Sequence, residues 1–392
     1  MRSNILFIHG GGPTAVINCS LWGVISEAGR HGELEHLYAA VGGTGGFLRE
    51  QLTDLRDVSE DELSRLCSTP GSAIGTSRDA LEEADYHRMA DLADKYGIKY
   101  IVMNGGNGTM DACARLNEAC RGRGIGVIGL PKTMDNDLMH TDHTPGYGSA
   151  ARYVAASVAE LSTDVASMPR HVVVLEVSGR DAGWLAAAAA LASINGNPGA
   201  DLIYMPERLF SEDAFLSDVA RLIETKRSGV VVVSEGLRGM DGEPLVTPVR
   251  VTGRSVSYGN IAGYLSTLIS DKLGYKARGE KPGILGRASM AWQSEVDREE
   301  AVLAGREAVR AVMAGESGKM VTFSRASERP YTIQTGLVDL CRVALHTRTL
   351  PDEFINEAGN YPTAEFVSYC KPLIGQPLPR FVSFRERVLS RV

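Results

Sequence analysis

Short runs of branched apolar residues recur along the chain, and most of them exit into glycines or small polar residues. They are ILFIH at 5–9, YIVMNGG at 100–106, GVIGLPK at 126–132, HVVVLEVSG at 171–179 and GVVVVSEG at 229–236. Runs that are apolar throughout, rather than alternating, predict strands buried on both faces. Two longer stretches predict helices. WLAAAAALASI at 184–194 is alanine-rich, and SEDAFLSDVARLIETK at 211–226 opens on Ser211 as an N-cap, with Ala214 where a full capping box would have Glu or Gln. Strands alternating with helices predict an α/β fold of parallel sheets and crossover helices. The tail from about Leu350 is interrupted by prolines and carries aromatics, and is expected to pack on the surface of the core.

Length turns one sheet into two. A chain of 392 residues, 44% hydrophobic, exceeds what a single core usually supports, and no low-complexity linker or repeat separates its parts, so two closely joined α/β domains are expected. A formal net charge of −7 argues against a nucleic-acid partner, though a local basic pocket can still hold a small anion. No apolar run approaches membrane-spanning length, so no membrane partner is expected. The six cysteines show no CxxC or Cys/His metal spacing and read as reduced residues of a cytoplasmic protein.

The stretch GLPKTMDNDL at 129–138 places a lysine, a threonine and two aspartates where a buried strand ends, which in an open α/β sheet is where ligands bind. A carboxylate there can take a proton from a hydroxyl, a second can position it, and a lysine can balance phosphate charge. An Asx-rich turn, in which Asp135, Asn136 and Asp137 bond their own backbone, explains the same residues. Neighbouring strand exits add weight to the first reading. GGGPTAVIN at 10–18 and NGGNGTMDA at 104–112 can bring backbone N–H groups and helix N-termini to a phosphate, and GSAIGTSR at 71–78 ends on an arginine suited to phosphoryl oxygens. Neither GxxxxGK[ST] nor GxGxxG occurs at these exits.

Taken in order, GGPTAVIN, GSAIGTSR, GGNGTMD, PKTMDNDL, TDHTPGYGSAARY, EVSGRDAGWLA, VVSEG and LPDEFINEAGN resemble the phosphofructokinase superfamily over essentially the whole chain, most closely its bacterial pyrophosphate-type branch. The resemblance implies two Rossmann-like parallel-sheet domains with the active site in the cleft between them. Residues 1–147 plus about 286–341 would bind the donor; 148–285 plus about 342–392 would bind the acceptor. It implies Asp135 as general base, Asp137 and Thr133 beside it, and Lys132 on the phosphates. Gly11, Gly12, Arg78, Gly106, Asn107, Gly108 and Thr109 would hold the donor, with Mg²⁺ near Asn107 and Asp135. Gly179, Arg180, Glu235, Arg278, Arg287 and His171 would hold the acceptor, the basic position before Val172 being filled by either Arg170 or His171. One arginine would come across a subunit boundary in a homodimer or homotetramer.

Departures from the family pattern bear on specificity. Pyrophosphate users generally carry an aspartate where this chain has Gly108, so ATP is admissible and is the expected donor; Lys132 is the pyrophosphate-type residue and keeps diphosphate as the alternative. Asn107 replaces the aspartate of the ATP-type loop. Ser178, Ile284 and Gly286 replace family residues on the acceptor side, so the acceptor is fructose 6-phosphate or another sugar, cyclitol or sugar phosphate. A non-catalytic relative that binds sugar phosphates or nucleotides is the remaining alternative.

Overall fold

A computed structural model describes residues 3–168, 170–247, 249–252, 255–257 and 259–385, with backbone only for 250–252 and 255–257. Its strands, in chain order, are β1 (Ser3–His9), β2 (Leu34–Ala40), β3 (Leu52–Asp54), β4 (Ile98–Gly105), β5 (Gly126–Pro131), β6 (His171–Val177), β7 (Leu202–Tyr204), β8 (Ser228–Ser234), β9 (Arg250–Thr252), β10 (Ser255–Ser257), β11 (Ala277–Glu280), β12 (Lys319–Glu328) and β13 (Tyr331–Asp339). All five apolar runs are strands. Each is buried on both faces because crossover helices cover the sheet, as its unbroken apolar character requires.

Two sheets organise the molecule. The larger runs β13-β12-β5-β4-β1-β2-β3, with β1, β2, β4, β5 and β12 parallel and an antiparallel strand at each edge. The smaller runs β11-β6-β8-β7 and is wholly parallel. β12 and β13 therefore return to the first sheet after the chain has built the second. The helix Glu295–Met313 returns with them and packs along the helix Ile17–Ala28. Glycine makes that packing close: a Cβ on Gly23 would lie 2.2 Å from the Val302 carbonyl oxygen, and one on Gly305 2.2 Å from that of Ser20.

The helix at 212–226 begins as expected, with Ser211 Oγ accepting the Ala214 N–H at 3.3 Å. The alanine-rich stretch is helical only over Trp184–Ala188 and then tightens into a 3₁₀ turn, Ala189–Ser193. The tail departs from expectation. Leu350, Ile355, Phe366, Cys370, Leu373, Ile374 and Leu378 are buried in the core of the second sheet, where Phe354, Phe366 and Tyr369 surround Trp184. Its aromatic side chains do the work of core residues, which local composition cannot distinguish from a surface strap. Among the described residues no helix is long and apolar enough to cross a membrane.

Candidate active site

The glycine-rich exits of β1, β4 and β5 lie side by side because those strands are parallel neighbours. Their joints are tight. A Cβ on Gly10 would sit 2.4 Å from Thr109 Oγ1 and one on Gly105 2.1 Å from it, so the Thr109 side chain is wedged between two glycines and locks the first loop to the second. Gly11 holds φ +74° while its N–H donates to Ser77 O at 2.8 Å and its carbonyl accepts the Thr76 hydroxyl at 2.7 Å. The 71–78 segment is thereby fastened to the β1 exit. Asn18, on the following helix, ties down the same segment by donating to Thr69 O and Gly71 O and accepting from the Ala73 N–H.

Cations converge on that platform. Lys132 is buried, and its Nζ donates to Gly12 O at 2.5 Å. A Cβ on Gly12 would lie 2.6 Å from Arg287 Nη1 and 3.1 Å from Arg78 Nη2, so both guanidiniums stand over this glycine. Burial, then the nearby Arg78 and Arg287 charges, lower the Lys132 ammonium to about 8. Burial and Arg78 lower Arg287 as well. Three cations crowded at these strand ends suit a polyanion.

Across from the cations stand the acids of the 133–137 turn. Asn136 takes φ +56°, which asparagine tolerates, and its side chain bonds Tyr369 Oη and the Thr144 N–H rather than its own turn. The Asp135 N–H donates to Thr133 Oγ1 at 3.1 Å, while Asn107 Nδ2 donates to Asp137 Oδ2 at 3.2 Å. Asn107 Oδ1, Asp135 Oδ1 and Asp137 Oδ1 are buried without a hydrogen-bond partner. A closed Asx turn does not leave such oxygens bare. Burial, then the neighbouring Asp137 and Glu235 carboxylates, push the Asp135 carboxyl well above the ordinary carboxylate range; burial likewise raises Asp137, against hydrogen bonds from Thr133 and Asn107. Among the described residues no group of three His, Cys, Asp or Glu side chains could hold a metal by itself. Bare amide and carboxylate oxygens are nevertheless the donors Mg²⁺ takes when donor phosphates complete its shell, so the residues fit that ion.

On the second sheet, Gly179 holds φ +121° with its Cα against Ala182 O, and the Gly236 Cα abuts Arg180 O, where a Cβ would come within 1.7 Å. These approaches set Arg180 and Glu235 beside Asp135, whose proton affinity both influence. Adjacent is a small pocket, of about 20 Å³, lined in part by Met134, Tyr153, Glu176, Ser178 and Gly286. Ile284 is exposed and does not line it. Pattern reading missed Lys281, which pairs with the buried Glu176 and also influences Glu235; a lysine in a loop carries no signal until the strand that holds Glu176 is placed beside it.

Three expected acceptor residues separate. Arg287 stands over Gly12, at the β1 exit. His171 and Arg278 lie at the opposite end of the second sheet from the Ser178 turn, Arg278 in register with Val173. The five residues from Val173 to Ser178 span about 17 Å of strand. There Lys276 and Arg278 form a cationic edge beside His171, whose pKa burial first and those charges next lower, which favours its neutral form.

Comparison with known proteins places this geometry. The sequence profile of the family described as Phosphofructokinase matches residues 4–312. The chain belongs to the phosphofructokinase family. It is a phosphotransferase of that family, 34% identical over its whole length to the pyrophosphate–fructose 6-phosphate 1-phosphotransferase of Rhodospirillum rubrum, of which 99% is covered. It is 32% identical, over 90% of the chain and 91% of the relative, to a sulfofructose kinase of Alkalicoccus urumqiensis. The solved structure of a pyrophosphate-dependent phosphofructokinase from Nitrosospira multiformis superposes with a TM-score of 0.88 at 35% identity, covering 97% of this chain and 94% of that one. Phosphofructokinase relatives thus share this chain's fold over nearly its whole length.

Proposed function

We propose that this phosphofructokinase-family enzyme transfers the terminal phosphoryl group of ATP to a hydroxyl of fructose 6-phosphate or a closely related sugar phosphate, with Asp135 as general base. The observation that carries the reading is the meeting of bare oxygens from Asn107, Asp135 and Asp137 with the Lys132, Arg78 and Arg287 cations at one set of strand ends. Phosphoryl transfer asks little covalent chemistry of a protein; it asks for alignment and charge neutralisation. Asp135 Oδ1 accepts the acceptor's hydroxyl proton, and a carboxyl raised toward neutrality is suited to that task. Asp137 orients the same hydroxyl, and Thr133 faces the moving phosphoryl group. Lys132, Arg78, Gly11, Gly12, Gly106 and the N-terminus of the helix Asn107–Ala119 cradle the donor phosphates. Asn107 and Asp135 would hold Mg²⁺, which would supply charge neutralisation for the donor phosphates.

Support for ATP comes from Gly108, where an added Cβ would meet nothing within 4 Å. The loop leaves open the space in which pyrophosphate-type relatives carry an aspartate. Lys132 and the relatives named for pyrophosphate support a second reading, diphosphate as donor. On the acceptor side Gly179, Arg180 and Glu235 grip the sugar. The Arg278 and His171 edge, too far along the sheet to serve its own cleft, serves a partner copy's acceptor in a homodimer or homotetramer. The relative named sulfofructose kinase supports an acceptor class of ketoses with an anionic end. A cytoplasmic location belongs to the same reading.

The test is a discontinuous assay for phosphorylated product with fructose 6-phosphate and Mg²⁺, run in parallel with ATP and with pyrophosphate. Turnover with ATP alone or with both supports the proposal, whereas turnover with pyrophosphate alone replaces the donor. Asp135→Ala is expected to lower kcat by roughly 10²–10⁴-fold while donor binding by calorimetry stays near wild type; an unchanged kcat removes Asp135 from the mechanism.

A further inference from the structure

Away from the cleft, two of the six cysteines meet behind the donor loops. Cys19 lies in the first turn of the helix Ile17–Ala28 and is fully buried. Cys67 caps the C-terminus of the helix Glu60–Leu66, which packs on that first helix, and is half-buried. Cys19 Sγ donates to Cys67 O at 3.7 Å, and the Cys67 side chain packs against the buried cluster of Val16, Cys19 and Ala301. One amide clamps the pair: Gln293 Nε2 reaches Cys67 O at 2.9 Å and Cys19 Sγ at 3.8 Å. Cys67 also lines an open cavity of about 460 Å³ whose wall carries Trp22, Arg298, Glu299 and Arg306, with the Arg306 guanidinium 5.2 Å from the Trp22 ring. The remaining cysteines are differently placed: Cys113, Cys120 and Cys370 are buried and Cys341 is exposed.

We infer that Cys19 and Cys67 form a redox modification site, oxidised to an intramolecular disulfide by a small anionic disulfide of the glutathione type that enters through this cavity. Cys67, the accessible member, attacks as thiolate one sulfur of the small disulfide and expels the other half as a thiolate. The neighbouring Cys67 and then burial raise the Cys19 thiol, so Cys19 reacts only once Cys67 is a neutral disulfide sulfur: it attacks Cys67 Sγ in the mixed disulfide and its proton passes to the departing second small thiolate. Two protein thiols are oxidised to one disulfide, and one small disulfide is reduced to two thiols. The neighbouring Cys19 thiol and the Arg298 charge favour the Cys67 thiolate, against its burial, as an attacking group requires. Arg298 and Arg306 suit a carboxylate-bearing reagent.

The consequence rests on the donor-site reading above. Cys19 stands on the helix that follows the Gly10–Gly12 turn, and Cys67 begins the segment that Asn18 ties down before it delivers Arg78. A covalent link between them pulls on both donor loops at their roots and leaves the second sheet alone. The donor KM should therefore rise roughly tenfold while the acceptor KM stays put, a difference of the order of 1.4 kcal/mol.

The full-length protein is incubated with oxidised glutathione, blocked with an alkylating agent and digested for peptide mass spectrometry. The expected product is a Cys19–Cys67 linked peptide, absent after a reducing agent. Cys19→Ser should stop the reaction at a glutathione adduct on Cys67, and Cys67→Ser should yield neither adduct nor link. Alkylated Cys19 and Cys67 in the wild type, or links that run only through exposed Cys341, overturn the site. This readout needs no turnover, so it stands apart from failure of the proposed reaction. Where the link forms but the donor KM is unchanged, the effect on the donor loops is overturned and the modification site stands.

Discussion

Gly108 shows how much can rest on an absent side chain. It occupies the first turn of the helix Asn107–Ala119, where an added Cβ would meet nothing within 4 Å. Packing therefore does not demand glycine, unlike Gly10 and Gly105, whose Cβ atoms would collide with Thr109. An aspartate introduced there would point into the donor space and repel a nucleotide's inner phosphate. Gly108→Asp should leave the melting temperature nearly unchanged, yet reduce kcat/KM for ATP about tenfold more than for pyrophosphate. Equal losses for the two donors would discard the steric and electrostatic account. Asp135 and Asp137 are the opposite case: burial raises both, with Asp137 and Glu235 repelling Asp135 and Asp181 repelling Asp137. Their types were plain in the PKTMDND stretch. Their bare oxygens were not, because those depend on Asn107 from another strand exit and on Tyr369 and Thr144 drawing Asn136 away from its own turn.

At the scale of an element, the turn at 141–146 couples the acid cluster to the rest of the molecule. His143 is buried between Asp142 Oδ2 at 2.8 Å and Glu300 Oε2 at 2.6 Å, and Glu300 also accepts the Tyr331 hydroxyl at 2.7 Å. Arg325, stacked on Tyr331 and Tyr369, pairs with Asp142 at 3.1 Å. Burial alone would lower the imidazole's proton affinity. The Glu300 charge and the hydrogen bonds the imidazole donates to both acids outweigh it and raise His143 from 6.5 to about 9. A pKa raised on folding gives stability that is fully present below the unfolded value and is lost as pH rises through the folded one. Between pH 6.5 and 9 the unfolding free energy should therefore fall by on the order of 2–3 kcal/mol from this group. Urea melts across that range should show the decline in the wild type and a flatter profile in His143→Gln; identical slopes would remove His143 from the linkage. The histidine itself stands in the TDHTPGYGS segment. Its partner Glu300, 157 residues away, was not legible there.

Across the whole molecule, the placement of the cationic edge bears on assembly. With Arg278 about 17 Å along the strand from the Ser178 turn, one chain's second sheet does not bring every expected acceptor group to its own cleft. A site shared between copies should be rescued by complementation. Asp135→Ala and Arg278→Ala chains, each inactive by itself, should recover activity when co-expressed and purified together through two different tags, since some pairs then carry one intact site. No recovery would mean that each cleft is built from a single chain. The return of β12 and β13 to the first sheet belongs to this scale as well, since it carries the chain back to complete the sheet that begins with β1.

By itself the sequence determined the five core strands, the α/β class, the loops that would gather at the strand ends and the residue types needed for phosphoryl transfer. These follow from local apolar patterning, from glycine's freedom at tight turns and from motif order, all properties of contiguous residues. Only the tertiary structure decided which distant groups meet. It set Arg287 over Gly12 with the donor loops, parted Arg278 from Arg180, drew the tail into the core and brought Cys19 to Cys67. Each of those outcomes turns on the register of one element against another, and register is settled by packing between segments far apart in the chain.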